Sequence, residues 1–90
     1  MTSKDAPIPE VLVTCDVASA RRGVPLVLNE VRTEESVRRR LAQLGLRPGA
    51  DIQVLRVTAG GGRIVAVAGS RIALDRATAT CLLAQERTTT

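Results

Sequence analysis

The groups on this chain that could do chemistry are mostly guanidiniums. Twelve arginines and one lysine oppose nine acids across 90 residues, leaving a net charge of +4. Three of the arginines are consecutive, Arg38, Arg39 and Arg40 in "TEESVRRRLAQLG", and Arg47 follows just beyond. Planar guanidiniums suit carboxylates and phosphates, so this run is a candidate contact surface for an acidic partner or a nucleic-acid backbone. A second candidate is "AGGGR", where Gly60, Gly61 and Gly62 precede Arg63. A phosphate-cradling loop needs a Lys-Ser/Thr pair and a helix after its glycines. Here "RIVAV" follows, a strand pattern, so the glycines read as a hairpin tip.

Catalytic and metal chemistry finds little support in the residue types. The chain has no histidine, which removes the commonest general base and the commonest metal ligand. Cys15 and Cys81 lie far apart and outside any C-x-x-C spacing, so neither a zinc site nor a redox pair is indicated. Cys81 precedes Leu82 and Leu83 and reads as a buried, inert thiol. The spacing of Glu30, Glu34, Asp51 and Asp75 suggests no paired carboxylates, and they read as surface acids among arginines. The expectation is a protein that is not an enzyme, holds no cofactor and binds no metal. No apolar run is long enough for a membrane span, and no leader-like apolar stretch follows the start, which points to the cytoplasm. Phe, Tyr and Trp are all absent, so no aromatic platform exists for stacking bases or gripping proline-rich peptides. Nucleic acid is thereby an unlikely partner, and phosphate contact by a basic surface is the form of it left open.

The elements that must position these groups follow from pattern. Ninety residues make one small domain, whose core has to be built from Val, Leu, Ile and Ala. Residues 1–15 read as an N-terminal extension, loose at first, with "VLVTC" either a short strand or an apolar contact with the body. Asp16 is a cap candidate for one or two helical turns that Gly23 would end. "VPLVLNEV" is a strand pattern. Thr33 can then cap a helix whose first turn carries Glu34 and Glu35 and whose core stripe is Val37, Leu41 and Leu44. Successive helical residues point about 100° apart, so the three arginines fan over the exposed side, with Glu34–Arg38 and Glu35–Arg39 as i,i+4 pairs.

The helix end is sharply specified. Gly45 falls where a left-handed residue is needed, and Leu46 can then touch Leu41 in a Schellman ending. "RPGA" places Pro48 and Gly49 at the second and third positions of a type II turn. In "DIQVLRVTA" the alternation of Ile52 and Val54 shifts to Leu55 and Val57, as at a bulge or a sharp coil of the strand. "RIVAVAG" and "SRIALD" are strands joined by a tight turn at Gly69 and Ser70, "RATAT" is a single turn, and "CLLAQE" is a last strand. The sum is a small, mainly β barrel of five or six strands with one main helix and a short leading helical turn. Residues 87–90 read as a frayed tail, and an unpaired strand edge would allow self-association.

These residues resemble a known family. "LAQLGLRPGADIQVL" carries Leu41, Leu44, Gly45, Leu46, Pro48 and Gly49 of a helix ending in Leu-x-x-Leu-Gly-Leu-x-Pro-Gly, followed by Ile52, Val54 and Leu55. Gly69, Ala73, Leu74 and Ala79 match a later part of the same pattern. Together they resemble the ferrous iron transport protein A (FeoA) family over about residues 16–86. The same barrel also resembles the C-terminal domain of metal-dependent repressors of the diphtheria-toxin-repressor type. The FeoA resemblance implies an SH3-like β-barrel of about five strands. It also implies a cytoplasmic accessory or regulatory role in ferrous iron uptake, by protein–protein contact with a membrane GTPase ferrous-iron transporter, FeoB. On that reading the contact surface is expected at Arg38, Arg39, Arg40, Arg47, Gly60, Gly61, Gly62 and Arg63. The rival reading is a basic barrel that binds nucleic acid through phosphates.

Overall fold

A computed structural model describes residues 14–87. Its elements, in chain order, are β1 (Thr14–Asp16), β2 (Leu26–Val31), α1 (Glu35–Gln43), β3 (Asp51–Val57), β4 (Arg63–Val67), β5 (Ser70–Leu74), α2 (Arg76–Thr80) and β6 (Leu82–Glu86). The strands form one antiparallel sheet in the order β1-β6-β2-β3-β4-β5. Residues 1–13 of the extension and residues 88–90 of the tail lie outside the described residues. Thr14 and Cys15 do form a strand, paired on β6 as Thr14 with Gln85 and Cys15 with Ala84.

Alternation decides which side of each strand is buried. Leu26 and Leu28 of β2, Ile52 and Val54 of β3, Val65 and Val67 of β4, and Leu82 and Ala84 of β6 all enter one core. Two bulges let a single-chain sheet this small curve round that core. One falls between Leu28 and Glu30 on β2, and it moves the inward set from Leu28 to Val31. The other falls between Val54 and Arg56 on β3, where the pattern slips in the sequence. After the slip, Leu55 is half-buried and Val57 lies 52% exposed, so the second apolar pair does not build a second core face. With no aromatic side chain to bury, the interior is filled by Leu, Val, Ile and Ala, and among the described residues no buried one is polar or charged.

Several local expectations need correction. Thr33 does not cap α1: Glu34 holds the cap position in extended conformation, with no side-chain cap bond, and the Ser36 hydroxyl instead donates to its carboxylate at 3.3 Å. That engagement leaves Glu34–Arg38 unformed as an ion pair among the described residues, while Glu35–Arg39 closes at 3.2 Å. Leu44 is 47% exposed rather than inward. The helix stops beneath it, and the reversing chain inserts Leu46, fully buried, in the place the third stripe residue would take. The leading segment after Asp16 forms turns without a helix. The Ser19 N–H donates to both the Asp16 carbonyl (3.0 Å) and its Oδ1 (2.8 Å), so Asp16 caps a turn that Ala20 and then Gly23 leave. The β4–β5 turn is centred on Ala68 and Gly69, one residue earlier than expected, with φ of 51° and 80°. The pairing of Val67 with Ser70 fixes that two-residue loop, and positive φ at both positions matches the right-handed twist of the strands.

Candidate functional site

The corner after α1 is built as its residue types require. The Gly45 N–H donates to the Ala42 carbonyl at 3.0 Å and the Leu46 N–H to the Leu41 carbonyl at 2.9 Å, the two bonds of a Schellman ending, with Gly45 at φ 99°. The Ala50 N–H then closes the type II turn on the Arg47 carbonyl at 3.0 Å, with Gly49 at φ 94°. Two further bonds clamp this corner to β2: Gly49 N–H to Leu28 O at 2.7 Å, and Leu28 N–H to Ala50 O at 2.9 Å. Arg47 and Pro48 are thus held on a short ridge beside α1.

Between that ridge and the helix runs a groove of about 410 Å³. Ala42 and Pro48 supply its accessible apolar surface, with the buried Val31 and Leu46 behind them, and Arg38, Arg39, Arg47 and Glu35 form its charged rim. The helical fan separates the arginine run: Arg38 and Arg39 reach the groove, whereas Arg40, also exposed, does not line it. Glu35 holds Arg39. Arg38, Arg40 and Arg47 have no ion-pair partner among the described residues, whose pairs are Arg21–Glu86, Arg32–Glu30, Arg39–Glu35 and Arg87–Asp51. A second groove of similar volume, floored by Ala50, Val67 and Ala68, lies across the same Arg47–Pro48 ridge.

The glycine tip is a different environment. A 3-10 turn at Ala59–Gly61 carries the chain over, closed by Thr58 N–H to Gly62 O at 2.8 Å. Gly60 is exposed, Gly61 half-buried and Gly62 buried. Arg63 folds back: one terminal nitrogen donates to Gly61 O (3.0 Å) and Gly62 O (3.2 Å), and the other to Ala18 O of the leading turn. Its Nε is buried without a partner. The tip lines no part of the arginine groove, so of the eight candidate contact residues three line the groove, four form the tip and Arg40 belongs to neither. Leu46 and Pro48, which read as structural in the sequence, line the groove together with Val31 and Ala42, which the sequence did not single out, and of these Ala42 and Pro48 are accessible. The signal for Ala42 was its place four residues after Arg38: a small residue there opens the space between the rim arginines.

The thiols and acids have structural partners. Cys81 is half-buried rather than fully so, and its Sγ donates to the Ala77 carbonyl at 3.4 Å. Burial pushes the Cys15 thiol up from its ordinary pKa, and the Asp16 and Glu86 carboxylates add to the shift. Asp75 caps α2, accepting from the Thr78 N–H at 2.7 Å; hydrogen bonds from Thr78, side chain first and then backbone, hold its carboxyl below the usual value. Among the described residues no group of three or more His, Cys, Asp or Glu could hold a metal ion. No helix there is long and apolar enough to cross a membrane.

The model of the FeoA domain matches residues 16–86. The chain belongs to the FeoA domain family. A crystal structure of an iron uptake regulatory protein, FeoA, is 25% identical and superposes with a TM-score of 0.76 over 83% of this chain and 100% of that one. The FeoA protein of Chlorobium tepidum is 28% identical, with a TM-score of 0.75 over 81% of this chain and 70% of that one. A zinc-complexed FeoA from Stenotrophomonas maltophilia, a prokaryotic SH3-domain protein proposed as a ferrous iron transport activating factor, shares the fold. It is 23% identical, with a TM-score of 0.67 over 80% of this chain and 95% of that one. The fold is therefore the SH3-like one of FeoA proteins, a family linked to ferrous iron transport. The barrel also matches part of T. acidophilum IdeR, at 20% identity and a TM-score of 0.73, covering 87% of this chain and 36% of that one. No curated protein sequence matches the chain.

Proposed function

We propose that this FeoA-domain chain is a small cytoplasmic accessory protein of ferrous iron uptake. On this reading it acts by contact with a membrane GTPase ferrous-iron transporter of the FeoB type, without catalysing a reaction. Family membership supplies the transport context. The single observation that carries a contact role is the groove beside α1: Arg38 and Arg47 stand over an apolar floor without an internal ion-pair partner among the described residues. Exposed guanidiniums bordering buried apolar surface are what an interface centre with a polar rim uses. The working surface comprises Arg38, Arg39, Arg47 and the neighbouring Arg40. The exposed Gly60 belongs to a second, smaller contact, with Gly61, Gly62 and Arg63 holding it in shape.

The test is an amide NMR titration of the labelled chain with the transporter's isolated GTPase domain, with and without a GTP analogue. Shifts concentrated at residues 31–48 are expected. A titration to saturating concentration with neither nucleotide state moving any amide, followed by no binding to the full-length transporter in detergent, would sink the reading.

A further inference from the structure

We propose that the groove between α1 and the Arg47–Pro48 ridge binds an acidic protein segment that seats an aliphatic side chain between flanking carboxylates. The inference rests on the protein-contact reading for the use of this face, but not on who the partner is.

Charge on the rim is the first argument. Three guanidiniums and one carboxylate border the groove, and that carboxylate, Glu35, is already taken by Arg39. Arg38 enters from the helix and Arg47 from the clamped corner, so two cations that are unpaired among the described residues are presented from two separate backbone elements. Arg47 is held more firmly than a surface side chain usually is at its backbone, because both sides of its turn are hydrogen-bonded, to Leu41 on one side and to Leu28 on the other. Preorganised donors lose less freedom when a ligand arrives. A carboxylate accepts a guanidinium's paired N–H groups in one plane.

The floor is the second argument, and it selects among anions. Between the cations Ala42 and Pro48 present the accessible apolar surface, backed by the buried side chains of Val31 and Leu46. A nucleic-acid backbone would neutralise the rim and leave that surface wet, and the chain has no aromatic side chain on which a base could stack. An acidic peptide carrying a leucine, isoleucine or valine satisfies both parts at once. The small Ala42 leaves the room, and a larger residue there would fill it.

The experiment titrates the full labelled chain with three short synthetic peptides. The first has one leucine flanked by glutamates, the second has those glutamates replaced by glutamine, and the third keeps the glutamates but has serine for leucine. The first is expected to move the amides of Val31, Ala42, Leu46 and Arg47, and to weaken as salt rises through the screening range. The second and third should each bind about tenfold more weakly, the one losing ion pairs and the other apolar burial. A double Arg38→Ala/Arg47→Ala chain should lose about as much. Ala42→Glu, a good helix former on a half-exposed position, should abolish binding while leaving the remaining spectrum folded. Equal affinity for the first two peptides, shifts away from the groove, or tighter binding of a short DNA duplex at the same residues would each overturn the proposal. If the peptide fills the groove but the transporter domain and the full transporter do not bind, the groove's chemistry stands and the choice of partner fails. If the transporter binds through other residues, the reverse holds.

Discussion

At the corner after α1, Arg47 lies between Leu46 and Pro48 with its side chain in solvent; at the β3–β4 tip, Arg63 lies beside Gly62 with its guanidinium folded onto three backbone carbonyls. Both arginines sit next to glycine-rich turns, and the difference lies in what each turn leaves unsatisfied. The corner closes through its own backbone: the Gly45, Leu46, Gly49 and Ala50 N–H groups bond to α1, to Leu28 and to the Arg47 carbonyl. The Arg47 side chain takes no part in these bonds and has no ion-pair partner among the described residues. At the tip the glycines leave the ladder, and the carbonyls of Gly61 and Gly62, with that of Ala18, are available as acceptors. A guanidinium offers five donors in a fixed fork and is drawn in. The cost is a buried Nε with no partner, which limits how much the fold gains from the arrangement. One residue type therefore acts as a recognition group in one region and as an internal brace in the other.

Glycine substitutions separate the two regions most strongly. Gly62 has an ordinary φ of −72°, but a Cβ there would meet the Leu74 carbonyl at 2.8 Å and Thr58 Oγ1 at 2.7 Å. Gly62→Ala is expected to destabilise by about 2–3 kcal/mol through backbone displacement, measured by urea denaturation. Unchanged stability would mean that the tip can move away from β5. Arg63→Met should follow, with a loss of about 1.5–3 kcal/mol because three carbonyls lose a charged donor. Arg47→Met should stay within about 0.5 kcal/mol of the parent. If the two arginine variants came out alike, the contrast between brace and free group would be gone. At the corner, Gly45→Ala meets only ordinary contacts, Val67 Cγ2 at 3.5 Å and Ala68 Cβ at 3.7 Å. Its expected loss, about 1–2 kcal/mol, is the cost of a left-handed residue with a side chain.

Smaller effects come from the facing turn and from pH. Ala68 adopts φ 51° without being glycine, so Ala68→Gly should stabilise by about 0.5–1 kcal/mol, the relief of that strain less the added freedom of the unfolded chain. A lower melting temperature for that variant would show that the Ala68 methyl, close to Gly45, packs better than its backbone suffers. For Asp75, the folded pKa lies below the unfolded one because Thr78 hydrogen-bonds the carboxylate. Its contribution is therefore present above the unfolded carboxyl pKa and lost as pH falls through the folded value. Melting curves through the acid range should show Asp75→Asn less sensitive to acid than the parent, and parallel curves would remove Asp75 from the acid response.

The corner was legible because its constraints are local. A residue at positive φ, a proline at the second turn position and a leucine one step past the helix end act within a few residues of each other, and Gly45, Gly49 and Leu46 behave accordingly. The β3 slip was legible for the same reason, since period-2 alternation is broken within one strand. The exposure of Leu44 was not, because the helix stripe reads inward only as long as the helix continues, and here the cap comes first. The capping of α1 by Glu34 rather than Thr33 turned on one residue of chain geometry, beneath the reach of a pattern.

By itself the sequence determined a mainly β domain with one real helix, an aliphatic core, the FeoA corner and a positively charged helix face. Those follow from periodicity, turn chemistry and composition, all of which act along the chain. Only the tertiary structure decided which arginines matter together. Arg38 and Arg47 are nine residues apart in the sequence and share a groove because Leu28 clamps the corner back against β2, while Arg40, adjacent to Arg39, points elsewhere. Arg63 was removed from the surface by the carbonyl of Ala18, forty-five residues away. Charge can be counted from a sequence, but whether a guanidinium is free or spent depends on which acceptors the fold brings to it.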